Sequence, residues 1–170
     1  IVWEVIMPSL ALTFPAGAEK FSPGSTQRIR FDAYGFTSGN FILEYSINNG
    51  TSWSTISNAV SVTARSFDWL VPSAISSNCR VRVRHSTVTT LRDSSLTFTI
   101  IGIPSISIAT TTTCGNQVLL RWNPVAGATS YDVMMVKGTG WTTVGNTGFQ
   151  YYTISNLPTG LAYWFNVRAN

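Results

Sequence analysis

Charge is scarce in this chain. Asp, Glu, Lys and Arg make up 11% of its 170 residues, so long charge runs and extended ion-pair networks are excluded. Histidine occurs once, at His85, and cysteine twice, at Cys79 and Cys114. Two thiols do not make a disulfide framework. Two thiols and one imidazole in separate segments also lack the spacing of a zinc site. The Gly-x-Ser-x-Gly elbow, the His-Glu-x-x-His pair and the phosphate-cradling glycine loop are all missing. The seven carboxylates are scattered one per segment, and no two share a strand face at a spacing suited to acid–base work. No apolar run approaches the ~18 residues of a membrane span. No stretch sustains a 3.6-residue apolar period. The sequence therefore predicts no catalytic residue, no metal, no cofactor and no membrane insertion.

The charge that is present is nearly even. The net charge is +4. Residues 1–101 carry eight basic and six acidic side chains, and residues 102–170 carry three and one. Each part is +2, with no clustered basic stripe around a reading motif, so nucleic acid is not an expected partner. The chain opens at Ile1 without an initiator Met or a charged-then-apolar leader, the pattern of a processed product or an excerpt.

What is abundant is strand chemistry. The chain is 44% hydrophobic and rich in Val, Ile, Thr, Tyr and Trp, which suit half-buried pleated surfaces. Strand signals recur about every ten residues between Gly, Pro, Asn and Ser, the rhythm of a sandwich or barrel. STQRIRFDA (25–33) sets Gln27, Ile29, Phe31 and Ala33 against Thr26, Arg28, Arg30 and Asp32. NFILEYS (40–46) puts Phe41, Leu43 and Tyr45 on one face. Asn49-Gly50 marks a hairpin, because a tight primed turn needs positive φ; Asn49-Gly50-Thr51 is formally a glycosylation sequon but reads as turn chemistry. SFDWLVP (66–72) alternates Phe67, Trp69 and Val71. NCRVRVRH (78–85) sets Cys79, Val81, Val83 and His85 against Arg80, Arg82 and Arg84. SLTFTII (95–101) offers Leu96, Phe98 and Ile100 to the core. After the break at Ile101-Gly102-Ile103-Pro104, the pattern restarts. Val118, Leu120 and Trp122 face one way; Tyr131, Val133 and Met135 face inward; Tyr163, Phe165, Val167 and Ala169 alternate with Trp164, Asn166 and Arg168.

The fold class predicted is all-β, two tandem antiparallel β-sandwiches. Residues 1–8 form a leading strand or linker, 9–101 the first sandwich, 102–104 the linker and 105–170 the second sandwich. Within the second, QVLLRWNPVAGATSYDVMMV and YYTISNLPTGLAYWFNVRA resemble a fibronectin type III domain. The resemblance implies that Trp122 is its strand-B core tryptophan and that Tyr131 and Val133 are its strand-C pair. It makes Tyr163 the tyrosine corner, its hydroxyl bonding back to the turn around Leu157, Pro158 and Gly160. The family's final strand has no counterpart here. Residues 9–101 are similar to immunoglobulin-like repeats of secreted bacterial proteins, Bacteroidetes in particular, carried by TFPAGAEKFSPGSTQRIRFDAYG, FILEYSINNGTSW, FDWLVP and NCRVRVRH. That likeness implies a secreted or cell-surface setting beside a catalytic domain, commonly a peptidase.

Two surfaces qualify as candidate sites. The arginine row Arg80, Arg82 and Arg84 projects from one sheet face, beside Glu44 on a neighbouring strand. It reads either as a site for an anionic polymer such as an acidic polysaccharide or as a solvated face with one ion pair. The second surface follows from parity. If Tyr131, Val133, Met135, Tyr163, Phe165 and Val167 face inward, then Met134, Val136, Trp164 and Arg168 face outward, with Trp141 at the margin. It reads as a partner-binding patch, as ordinary surface with Arg168 lying over the indole, or as a face covered by a neighbouring domain of the parent chain.

The remaining groups have quieter readings. His85 is a packed, hydrogen-bonded residue and Cys79 a small buried hydrophobe. Cys114 is a free thiol, or half of a disulfide with a partner beyond the sequence or with Cys79. Asp32 and Asp93 could meet near a calcium or simply be solvated. Unpaired edges, including Ile1–Met7 and the last strand, invite edge-strand association. Together these readings describe a non-catalytic accessory or spacer region of a larger secreted protein, with protein docking. The alternative is a carbohydrate- or protein-binding adhesion module.

Overall fold

The computed structural model describes residues 7–109 and 115–170. The leading strand expected over 1–7, apart from Met7, lies outside the described residues, as does Cys114. The chain divides into two compact units, one ending at Ile100 and the other starting at Ile101.

The first unit contains β1 (Ser9–Phe14), β2 (Lys20–Phe21), β3 (Thr26–Tyr34), β4 (Asn40–Ser46), β5 (Ser54–Ser61), β6 (Ser66–Leu70), β7 (Ser76–His85), β8 (Arg92–Ser94) and β9 (Phe98–Ile100). One sheet runs β1-β3-β6 and the other β2-β9-β7-β4-β5, with β8 on the edge of β7 ahead of β9. Their facing sides make one core. Ile29 and Phe31 from β3 and Trp69 from β6 meet Phe41, Leu43, Val81, Val83 and Phe98 from the opposite sheet. Each such side chain contributes about 1.5–3 kcal/mol by leaving water. The alternation of β3 and β7 appears in the burial almost residue for residue, because a strand turns successive side chains to opposite faces.

Asn49 and Gly50 both have positive φ, and the Thr51 amide donates to the Asn48 carbonyl. The expected primed turn is therefore present. It sits inside a longer loop, because β4 and β5 pair only from Tyr45 and Ser54 outward. Leu96 departs from expectation. It is 70% exposed, and β9 begins only at Phe98. The inward position near it is taken by Ser95, whose hydroxyl accepts the Val81 amide.

The second unit contains β10 (Ile106–Ile108), β11 (Val118–Trp122), β12 (Tyr131–Lys137), β13 (Gly140–Thr147), β14 (Tyr151–Ile154) and β15 (Phe165–Ala169). Its sheets are β10-β11-β14 and β13-β12-β15. Between them Leu120, Trp122, Tyr131, Val133, Ile154 and Val167 are buried. Trp122 packs edge-on against Tyr131 at 5.4 Å, and the Tyr131 hydroxyl accepts the Val125 amide at 2.9 Å. The Tyr163 hydroxyl donates to the Pro158 carbonyl at 2.8 Å, pinning the turn into β15. Ile101 packs into this second core. Both units are β-sandwiches, and the fold is all-β.

Candidate functional site

The outer face of β13-β12-β15 is ruled by register. Tyr131, Val133 and Met135 are buried, so Asp132, Met134 and Val136 point away from the core. On one side Val136 pairs with Trp141 and Met134 with Thr143. On the other, Met134 pairs with Asn166 and Asp132 with Arg168. One step further along, the Val136 amide donates to the Trp164 carbonyl at 3.1 Å. Directly opposed residues share a face. The face therefore carries three cross-strand rows: Trp141–Val136–Trp164, then Thr143–Met134–Asn166, then Asn146–Asp132–Arg168.

The first row is apolar and open. Trp164 is 62% exposed and Trp141 48%, while Met134 and Val136 are half-buried beneath them. Two strand spacings separate the tryptophans, about 10 Å. Trp141 thus forms one end of the apolar first row. Arg168 does not cover the indole. Its Nη2 lies 2.6 Å from Asp132, whose other oxygen accepts the Asn146 amide at 2.7 Å. The bonds from Asn146 and Arg168 hold the Asp132 carboxyl below the ordinary carboxylate range. The third row is a polar rim already satisfied from within.

The arginine row lies on the first unit. Arg82 stands opposite Glu44 and Arg84 opposite Ile42 on β4. Glu44 Oε2 accepts from Arg82 Nε at 2.6 Å and from Arg84 Nε at 3.0 Å. Arg80, on the same face, reaches toward the other neighbouring segment and donates to the Ser95 carbonyl at 2.8 Å. The three arginines therefore do not act as one row: two share a carboxylate and one supports the backbone before β9. Burial pushes the Glu44 pKa up, but the two arginine hydrogen bonds outweigh it and hold the carboxyl below its usual range.

Sequence reasoning missed two residues here. Trp53, in the loop before β5, lies beneath the Arg82 guanidinium, 4.2 Å from carbon to ring centre. Arg92 on β8 stands opposite Arg84. Only the register of β7 with β8 and the path of a loop bring these side chains together, and neither has a local motif.

Several other ionisable groups are tied into the structure. The Val88 amide donates to His85 Nδ1 at 3.1 Å, so the ring proton is on Nε2 and is donated to the Ser38 carbonyl at 2.9 Å. Phe36 stacks on the same imidazole at 5.0 Å. Glu19 accepts the Ala16 and Gly17 amides. Asp68 pairs with Arg28 at 2.7 Å. Asp93 accepts the Leu12 amide at 2.7 Å and its neighbour Ser94's at 2.8 Å, so it serves the backbone, while Asp32 lies exposed on β3. Among the described residues no three His, Cys, Asp or Glu side chains gather where a metal could sit. Cys79 is a buried free thiol, its pKa raised by burial.

No family model matches this sequence, and no curated protein does. Many solved structures are similar to this chain, and three of them, all at low identity, show the range. A crystal structure of titin domains shares 17% identity over 95% of this chain, with a TM-score of 0.35, and the chain spans 60% of it. The fibronectin(III)-like modules of Clostridium thermocellum CbhA share 13% over 93% of this chain and 83% of theirs, with a TM-score of 0.35. Dpr2 Ig1-Ig2, in complex with DIP-Theta Ig1-Ig3, shares 8% over 94% of this chain and 65% of that chain, with a TM-score of 0.37.

Proposed function

We propose that this chain is a non-catalytic accessory region of a larger secreted bacterial protein, spacing its parent's domains and docking them to a partner. The likeness of residues 9–101 to repeats of secreted bacterial proteins supports that setting, with a peptidase or other hydrolase as the catalytic portion. One observation carries the non-catalytic reading. The side chains best suited to acid–base chemistry, His85, Glu44, Asp93 and Asp132, each hold a backbone amide, a backbone carbonyl or an arginine. Groups held this way are committed to structural partners and are not aimed at a common point where a substrate could sit. The test is to incubate the purified chain with peptide, ester, glycoside and phosphoester substrates. The expected result is no turnover above buffer. Turnover that disappears in a folded His85→Ala variant would overturn the reading.

A carbohydrate-binding adhesion role is the second reading, and the Trp141–Val136–Trp164 row favours it. Two exposed indoles about 10 Å apart on a flat sheet suit the apolar faces of alternate sugars in a β-linked glycan. Thr143 and Asn166, opposite Met134 in the next row, offer hydrogen-bonding groups. Retention of the chain on insoluble β-glucan should be lost in Trp141→Ala and Trp164→Ala. Unchanged retention would remove this surface.

A further inference from the structure

Beside β7 and β8 lies an open pocket of about 310 Å³, lined by Trp53, Arg82, Arg92, Asp93 and Ser94. The geometry points to this pocket as a binding site for a carboxylated sugar, one uronate unit of an acidic polysaccharide. It lies in the first unit and goes beyond the docking function proposed above.

Charge comes first. Arg80, Arg82 and Arg84 point to the same outer face, and Arg92 joins them opposite Arg84. The carboxylate interleaved with them is Glu44, which serves Arg82 and Arg84. Asp93 lines the pocket as well, but its carboxylate accepts the Leu12 and Ser94 amides. Among the described residues Arg92 has no carboxylate partner. Arg82 and Arg92 are diagonal neighbours across the β7–β8 ladder, about 7–8 Å apart at the backbone. Two guanidiniums thus meet at one pocket where Glu44 is shared with Arg84 and the Asp93 carboxylate is taken up by backbone amides, so an incoming anion can pair with Arg92 and the free end of Arg82.

Geometry then selects the class of anion. Glu44 binds Arg82 through Nε, and the guanidinium carbon lies over the Trp53 ring, 4.2 Å from its centre. The ends Nη1 and Nη2 make no hydrogen bond with any other described residue. They are two parallel donors on a group fixed in position, the fork that matches a carboxylate. Arg82 is also largely shielded, its side chain 22% exposed, so solvent screens the contact less than at an open site. The pocket is at the small end of ligand sites and suits one ring-sized unit. The indole supplies an apolar wall, and the Ser94 hydroxyl, which accepts Arg80 Nη2 at 3.3 Å, can still donate to a ring hydroxyl.

The test is calorimetric titration of the full chain with trigalacturonate, carboxyl-reduced trigalacturonate and a short poly-glutamate peptide. Trigalacturonate should bind, weaken with added salt, and lose about tenfold in affinity in Arg92→Ala. Arg92 is exposed and supports no core residue, so that variant folds; Trp53→Ala should weaken binding as well. The carboxyl-reduced sugar should not bind. The proposal is overturned if trigalacturonate fails to bind or if Arg92→Ala leaves its affinity unchanged. Equal binding of the reduced sugar overturns it too. Poly-glutamate binding more tightly with the same Arg92 dependence would replace the sugar with an acidic peptide.

Discussion

Glu44 shows how a polar residue can be buried in the wall of a sandwich and still stabilise it. It lies on β4 between two hydrophobic positions and is nearly buried itself, which costs free energy unless the charge is matched. Arg82 and Arg84 match it from the next strand. The consequence is a pH dependence with a definite sign. Because the folded carboxyl titrates below its ordinary range, the folded protein binds fewer protons than the unfolded chain in acid. The stabilisation from Glu44 is therefore complete above the unfolded pKa of about 4.3 and is lost as pH falls through the lower folded value. Urea unfolding between pH 7 and pH 3 should show a level plateau to about pH 5 and then a decline. In Glu44→Gln the decline should be shallower, starting from a lower plateau. A decline as steep as in the unaltered protein would detach it from this residue.

At the scale of elements, alternation was the legible part. The burial of β3, β7 and β12 follows a period of two that can be read directly, and Trp164 falls outward for the same reason. Irregularity was not legible. The bulge in β13, where Val133 pairs with Gly145 and Met134 with Thr143, leaves no mark beyond a glycine. A Cβ at Gly145 would lie 2.2 Å from the Tyr152 ring, so the glycine is there for close approach. Gly145→Ala should destabilise the protein by about 1–3 kcal/mol. Part of that should return in Gly145→Ala with Tyr152→Leu, as measured by chemical unfolding. Equal losses in the single and double variants would mean that the ring is not what the methyl meets. The Trp53–Arg82–Arg92 pocket was hidden for a related reason. It is assembled by strand pairing and loop path, and single-strand patterns do not contain either.

For the whole molecule, the two cores share no residue: the first closes with Ile100 and the second opens with Ile101. Residues 7–100 alone should therefore fold, give dispersed amide resonances, and keep the trigalacturonate affinity of the full chain. A collapsed spectrum would show that the first core depends on the second unit.

The account rests on a division of labour: ionisable groups hold the sheets together, and the indoles on the outer face are left for contact. Thermal unfolding of Glu44→Gln beside a Trp141→Ala, Trp164→Ala double variant tests it in one experiment. Removing the shared carboxylate should cost about 3 kcal/mol and lower the midpoint of the first unit by roughly 10 °C or more. Removing both exposed tryptophans should leave the midpoints of both units within about 2 °C. A stable Glu44→Gln and an unfolded tryptophan variant would contradict the account.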